Sequence, residues 1–281
     1  MYSKVYIEIT NICNKSCTFC HKTKRKKRRM SFDEFKTVCG KLKGKTEYLY
    51  YHLMGEPLTH PLLPDFIEYA SSMGFRSAVT TNGSLLAEKG DALIEKGVYK
   101  VSISVHSFED GEKEEYERYL SDCFDFADKA SKKGVLTVLR LWNKGYDNGR
   151  NISTLELLEK RFPKGKDNEW HEGRRGVRIR DKLHLEYGER FEWPDMNAKE
   201  YGSDVFCYGL KDHFGILVDG TVVPCCLDSE GNIPLGNIYE SSADEILSSA
   251  RAVDMFNGFS VRKASEELCK RCGYAQRFNK K

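Results

Sequence analysis

The 281-residue chain contains no apolar run near the roughly 18 residues that a membrane-spanning helix needs. Its first residues, MYSKVYIEIT, lack a basic-then-apolar leader and a cleavage site, which makes the cytosol the expected compartment. Neither sign of charge is in excess. Lys and Arg total 45, Asp and Glu 42, for a net of +3, and this balance argues against a nucleic-acid partner. Internal repeats and extended low-complexity segments are also missing.

Cysteine, by contrast, is abundant, with ten in the chain. Without a secretory leader a disulfide framework is not expected, and clustered cysteines in a reducing compartment point to metal. Three lie between positions 13 and 20, and five lie at or beyond 207. Cys39 and Cys123 fall in helical patterns and read as buried core thiols.

The first 190 residues alternate β-like runs with amphipathic helical runs. Expected strands are Val5–Ile9, Tyr48–Leu53, Ser77–Thr81, Lys100–Val105, Leu136–Trp142 and Val177–Leu185. Expected helices are Phe32–Leu42, Leu63–Met73, Leu86–Glu95, Glu112–Lys132 and one capped by Ser153 or Thr154 that runs to Phe162. Ser31 with Glu34 has capping-box spacing, and Gly74, Gly97 and Gly134 sit where helices stop. Residues 143–151 and 163–176 read as exposed loops. Six β–α units in order argue an α/β fold with a parallel sheet. Eight units need about 250 residues, so 190 suit a partial, open (β/α)6 barrel.

After Tyr201 the pattern changes. His213–Val218, an Asp219-Gly220 turn and Thr221–Val223 read as a β-hairpin, followed by a helix over Ser242–Phe256. Residues 1–200 are therefore expected to form the barrel, and 201–281 a small hairpin-plus-helix module built around metal.

Cys13, Cys17 and Cys20 have the spacing CxxxCxxC directly after the first strand. Three thiolates in one loop suit a 4Fe–4S cube whose fourth iron stays open. Zinc is the rival, with His21 as a fourth ligand. Four further thiols, Cys207, Cys225, Cys269 and Cys272, have C-x17-C and CxxC spacing; they suit a second cube or a structural zinc. Cys226 neighbours Cys225, and adjacent residues of a hairpin point to opposite sides.

CxxxCxΦC after a first strand, with Phe19 in the aromatic place, resembles the signature of the radical S-adenosylmethionine (SAM) superfamily. Met54-Gly55-Glu56-Pro57 is similar to its GGEP motif, with Met54 in place of the first glycine. Thr80-Thr81-Asn82-Gly83, Ser102-Ile-Ser104-Val-His106 and Arg140 match later segments in order. The resemblance implies SAM contacts at Phe19, Gly55, Glu56, Asn82, Ser104 and Arg140. It also implies an open iron that chelates SAM, and a 5′-deoxyadenosyl radical that takes hydrogen from a substrate. Each segment alone also reads as an ordinary turn, strand residue or core histidine. The C-x12-G-x4-C spacing with a later CxxC resembles the auxiliary-cluster module of SPASM and Twitch members of that family, the Twitch form holding one auxiliary cluster. By that match Cys225, not Cys226, is the ligand.

The same resemblance sets expectations about substrate. Peptide-modifying members carry a recognition domain ahead of the cysteine loop, and here the loop begins at residue 13, so a small molecule is expected. Two compact small-molecule types are an aminocyclitol dehydrogenase and a queuine lyase, and the reading leans to the lyase. Polar candidates at the barrel mouth are Glu8, His52, His106, Asn143, His184, Tyr187 and Glu189. The run Lys22–Arg29 carries seven positive charges in eight residues. It is a solvated loop or a dock for an acidic electron donor such as flavodoxin. A non-catalytic zinc module is the alternative of another class. A SAM-dependent methyltransferase is disfavoured, because no glycine-rich loop follows the first strand.

Overall fold

The computed structural model describes residues 1–108, 112–147, 149–174 and 176–278. Residues 148 and 175, inside the two predicted loops, lie outside the described residues.

The chain runs β1 (Lys4–Ile7), α1 (Phe32–Leu42), β2 (Tyr48–Tyr51), α2 (Leu63–Ser72), β3 (Arg76–Thr81), α3 (Leu86–Glu95), β4 (Lys100–Ile103), α4 (Lys113–Lys132), β5 (Leu136–Lys144) and α5 (Arg150–Arg161). It continues with β6 (His171–Gly173), β7 (Gly176–Arg180), β8 (Leu183–Glu189), β9 (His213–Ile216), β10 (Thr221–Val223), β11 (Gly236–Asn237), α6 (Ala243–Leu247), α7 (Ala250–Ser260) and α8 (Glu267–Lys270).

All strands join one mixed, open sheet in the order β11-β10-β9-β1-β2-β3-β4-β5-β8-β7-β6. Its centre is the expected six-stranded parallel array, β1 to β5 and then β8. β9 pairs with β1 in parallel, so the cysteine-bearing hairpin extends the same sheet.

Strand alternation divides the residues by face. Val5, Ile7, Leu49, Tyr51, Val79, Val101, Ile103, Leu139 and Leu141 are buried against the helices, with Phe35, Val38, Phe66, Leu93 and Leu120. Phe35 and Phe66 stack at 4.2 Å between ring centroids, a pairing that adds about 1 kcal/mol to their burial. The opposite, inner face carries Lys4, Tyr6, Tyr50, His52, Lys100, Ser102, Arg140, Trp142, His184 and Glu186. That is polar and aromatic chemistry, as expected of a binding lumen.

Ser31 and Glu34 form the predicted reciprocal cap of α1. Four sequence expectations need correction. The sixth strand is two: β7 and β8 form an antiparallel hairpin, and only β8 joins the parallel array. Between them Lys182 takes a positive φ of 58°, a turn without a glycine to announce it. The expected loop 163–176 contains β6. α5 starts at Arg150 behind Gly149, and Thr154 is buried within it, donating to the Arg150 carbonyl. The last predicted helix is two, because the Ser249 side chain accepts from Ala252 N–H and caps a new start.

Candidate active site

The loop after β1 is anchored at its base before it reaches the cysteines. Asn11 Nδ2 donates to the Lys26 carbonyl at 2.9 Å, and Arg28 N–H donates to Asn11 Oδ1 at 2.7 Å. Thr10 Oγ1 donates to the Arg28 carbonyl at 3.1 Å. Beneath them Glu8, fully buried, receives both oxygens' contacts from Arg25 Nη2, at 2.7 and 2.6 Å. It also accepts Met54 N–H at 3.2 Å and Val218 N–H at 3.3 Å. Its carboxylate is therefore fully engaged, and Glu8 leaves the set of substrate candidates. Arg25 Nε reaches the Ser229 carbonyl at 2.8 Å, so the pair binds the cysteine loop to the C-terminal segment.

The same contacts divide the basic run. Arg25 is folded inward and Arg28 pairs with Glu34. Lys22, Lys24, Lys26, Lys27 and Arg29 remain exposed.

Cys13 is exposed, while Cys17 and Cys20 are partly covered. Partial covering of its sulfur raises the Cys13 pKa, and the charges of Glu56 and Cys20 raise it further. The GEP turn lies across this loop: Glu56 N–H donates to the Ile12 carbonyl at 2.9 Å. Gly55 has φ +82°, and a Cβ there would press into the Thr10 carbonyl oxygen.

Glu56 is buried and tied to the TNG turn. It accepts Thr81 Oγ1–H at 2.8 Å, Asn82 N–H at 2.7 Å and Leu58 N–H at 3.0 Å. Burial pushes its pKa up to about 7, against the pull of those three donors. The Glu56 carboxylate thus locks two turns together. Tyr119 does similar work, donating to the Asn82 carbonyl at 2.6 Å and the Ser104 carbonyl at 3.3 Å. Asn82 Nδ2 bonds Asn14 at 2.9 Å and sits 4.0 Å from Cys13 Sγ. The three expected SAM-binding turns therefore meet at the cysteine loop.

Phe19 packs on His106 with ring centroids 4.9 Å apart. His106 Nδ1 lies 2.9 Å from the Arg140 carbonyl, and burial lowers its pKa to about 4. Arg140 lies 3.6 Å over the Trp142 ring. Its Nε and the ring nitrogens Trp142 Nε1 and His52 Nδ1 are buried without a partner among the described residues. His52 falls to about 3, from burial first and then the Arg140 charge. His184 shares this face. Three other candidates do not join it. Tyr187 alternates to the other side of β8 and is 41% exposed. Asn143 accepts from Asn151 Nδ2 at 3.0 Å. Glu189 is exposed at the end of β8, in register with Lys144.

A depressed histidine contributes stability that is present above its ordinary pKa near 6.5 and is lost as pH falls toward the folded value. Glu56, raised, works the other way between 4.5 and 7. The measurable quantity is therefore a difference. From pH 7 to 5, wild type should lose on the order of 2 kcal/mol more than His106→Gln in chemical denaturation. Equal losses would mean that His106 titrates normally.

Cys207, Cys225, Cys269 and Cys272 converge. Burial raises all four, and Cys225 is raised further by Cys226, Cys207, Cys269 and Cys272. Mutual repulsion of thiolates is what a cationic centre relieves, so this donor set fits a cluster. Among the described residues no three His, Cys, Asp or Glu side chains crowd to the spacing of a single ion. A four-iron cube, whose ligands bind separate irons, needs no such crowding. Cys226 packs on Tyr6, Leu53, Leu217 and Val223 and has the Tyr6 hydroxyl as a hydrogen-bond partner, while its charge still acts on Cys225.

Sequence reading missed Arg25, Asn11, Tyr119, Trp142, Glu186 and Trp193. Trp193 Nε1 donates to the Phe19 carbonyl at 3.0 Å, strapping residues 190–195 onto the cysteine loop. Tyr119 and Trp193 lie far along the chain from the turns they support, and the partners of Asn11 and Arg25 become visible only in the folded chain.

A half-open parallel barrel with a thiol loop over its strand ends, and a second thiol set gathered from both sides of the adjoining hairpin and from α8, defines a class of iron–sulfur enzyme that works through SAM. The sequence profile of the Radical SAM superfamily matches residues 7–168, more than half of the chain, and the protein belongs to that superfamily. The profile of the SPASM iron–sulfur cluster-binding domain matches residues 207–273. The family's cofactors are 4Fe–4S clusters and SAM, and the zinc-module alternative falls with that finding.

Among relatives, a GTP 3′,8-cyclase of Chlorobaculum tepidum is 32% identical over 109 residues, 37% of this chain and only about a third of that protein. A probable GTP 3′,8-cyclase of Sulfolobus acidocaldarius is 26% identical over 279 residues, 84% of this chain and 85% of that one. The structure of BtrN in complex with AdoMet and 2-DOIA matches with a TM-score of 0.61 at 18% identity, over 97% of this chain and 93% of that one. SuiB of Streptococcus suis bound to SAM matches at 0.63 and 14% identity, over 100% and 75%. These likenesses show the fold. No helix among the described residues is long and apolar enough to cross a membrane.

Proposed function

We propose that this chain cleaves SAM reductively and uses the resulting radical to take hydrogen from a small polar substrate held in the barrel lumen. The observation that carries the proposal is the convergence of the Gly55, Asn82 and Ser104 turns on the Cys13–Cys20 loop, above an inner face rich in unpartnered polar atoms. When bound, the first cluster supplies the electron that breaks the sulfonium bond of SAM.

The chain's own residues hold and orient. Cys13, Cys17 and Cys20 are the proposed ligands, with Cys207, Cys225, Cys269 and Cys272 for the auxiliary cluster. Asn82 and Ser104 present polar groups to SAM from turns that Glu56 and Tyr119 keep rigid. Phe19, backed by His106, offers a flat apolar face for the adenine. Arg140 offers a fork for a carboxylate. His52 and His184 line the lumen as neutral hydrogen-bonding groups.

Queuine, cleaved to a smaller deazaguanine, and an aminocyclitol-type alcohol, dehydrogenated, are the substrates to assay first, with a peptide as the third arm. An acidic carrier such as flavodoxin is the proposed electron donor, docking on Lys22, Lys24, Lys26, Lys27 and Arg29. The cytosol, where thiols stay reduced, is the proposed compartment.

Anaerobic purification should give about eight irons per chain. Flavodoxin-driven reduction should yield 5′-deoxyadenosine, more slowly in a Lys26→Glu/Lys27→Glu variant and with steeper salt dependence in wild type. Zinc in place of iron, or iron without SAM cleavage, would refute the reading. An unchanged rate in the charge-reversed variant would refute the docking site alone.

A further inference from the structure

Among the described residues the inner face of the barrel carries more cations than carboxylates free to answer them. Lys4, Lys100 and Arg140 enter it from β1, β4 and β5. Glu186 on β8 faces them, at 4.0 Å from Arg140 and near enough for its charge to act on Lys100, so one carboxylate stands against three cations. Glu8, the other carboxylate on this face of the sheet, is committed to Arg25.

Both lysine ammonium groups gather on one ring. Lys4 Nζ lies 5.5 Å from the Tyr50 centroid and Lys100 Nζ 5.9 Å from it. Among the described residues neither has a carboxylate within ion-pair distance. Arg140 Nε is 4.0 Å from Glu186 Oε2, too far for a hydrogen bond, and it is buried without an acceptor. Trp142 Nε1, a donor only, is in the same condition. Buried polar atoms in folded proteins are nearly always partnered. Like charges drawn onto one surface repel unless something negative lies between them. The acceptor they call for is therefore an anion.

Height along the strands separates this demand from that of SAM. Lys4 and Lys100 stand at the N-terminal ends of β1 and β4, whereas the cysteine loop and the GEP and TNG turns follow the C-terminal ends of their strands. A SAM carboxylate on Arg140 would leave both lysines unanswered.

We infer that the lumen takes a substrate with an anionic group, a carboxylate or a phosphate monoester, whose charged end is anchored by Lys100 and Lys4. This rests on the reading above that a small substrate enters the lumen, and it names that substrate's class. The anchored end lies at the floor, and the uncharged carbons point up toward the site of the radical. Queuine and simple aminocyclitols carry no acid group, so the inference adds acidic polyols and phosphorylated compounds to the substrates assayed.

The test uses iron-loaded enzyme with SAM and two matched pairs: ribose 5-phosphate against ribose, and gluconate against glucose. Calorimetric titration should show the anionic member of at least one pair binding tenfold tighter or better, roughly one charge-assisted contact. The responding pair identifies phosphate or carboxylate. Lys100→Met should erase the preference and Lys100→Arg should keep it. Iron content checks that each variant is folded, and Lys4→Met substitutes if Lys100→Met does not load. Equal binding within both pairs, or a preference that survives Lys100→Met, overturns the inference. SAM cleavage is scored separately: its absence with the preference intact sinks only the proposed reaction, and the converse sinks only the anion site.

Discussion

Replacing Cys13, Cys17 and Cys20 together with alanine is expected to remove about four of about eight irons and to abolish 5′-deoxyadenosine formation. The three thiols share one loop whose base is held by Asn11, Thr10 and the Glu8–Arg25 pair, and none of those anchors involves sulfur. The fold should therefore survive the loss. The auxiliary set should behave independently. Cys225→Ala removes one of four converging thiols and should lose the other four irons, whereas Cys226→Ala should keep all eight. Cys226 packs on Tyr6 and the apolar group around Leu53, while Cys225 has the spacing that matches the auxiliary-cluster module. Iron and sulfide analysis with EPR of the reduced protein checks all three variants. Iron lost from Cys226→Ala and retained in Cys225→Ala would reverse the ligand assignment.

Glu8→Ala is expected to cost roughly 3–5 kcal/mol, because it strands a mostly covered guanidinium without its partner. The Glu8 side chain has no solvent exposure and the Arg25 side chain is 15% exposed. Burial raises the Glu8 pKa even against Arg25 and two backbone N–H donors, which shows how strongly the site penalises a lone charge. Melting should fall by roughly 6–15 °C. The loss should reach function as well, since Arg25 joins the loop to the Ser229 carbonyl, so SAM affinity should fall with stability. Glu8→Ala/Arg25→Met, which removes both charges, should recover much of the stability but not the loop's attachment. If the double variant melts no higher than Glu8→Ala, the unpaired charge is not the cause.

Much of the parallel array was legible because its signals are local. Ser31 and Glu34 lie three residues apart and satisfy each other's orphan groups wherever the chain goes. Gly74, Gly97 and Gly134 stop helices through their own positive φ. The spacing of Cys13, Cys17 and Cys20 is a local signal of the same kind, whereas Cys207, Cys225, Cys269 and Cys272 come together only in the folded chain. The sixth strand misled because apolar residues alternate on both sides of Asp181-Lys182, and Lys182 turns the chain without glycine. Glu8 misled because an acid at the end of the first strand looks free to meet a substrate until Arg25, seventeen residues later, is seen to meet it.

The sequence by itself determined the α/β class, the order of the motifs, the thiols available for clusters and so the chemistry they perform. Those properties depend on residue type and short spacing. Only the tertiary structure decided which polar groups are already engaged, that Glu56 locks turns, that Cys226 packs on Tyr6, and that Lys4, Lys100 and Arg140 share one lumen. These depend on contacts between distant segments, and a carboxylate or an amine has the same letter in a sequence whether its partner is a neighbour in space or a substrate yet to arrive.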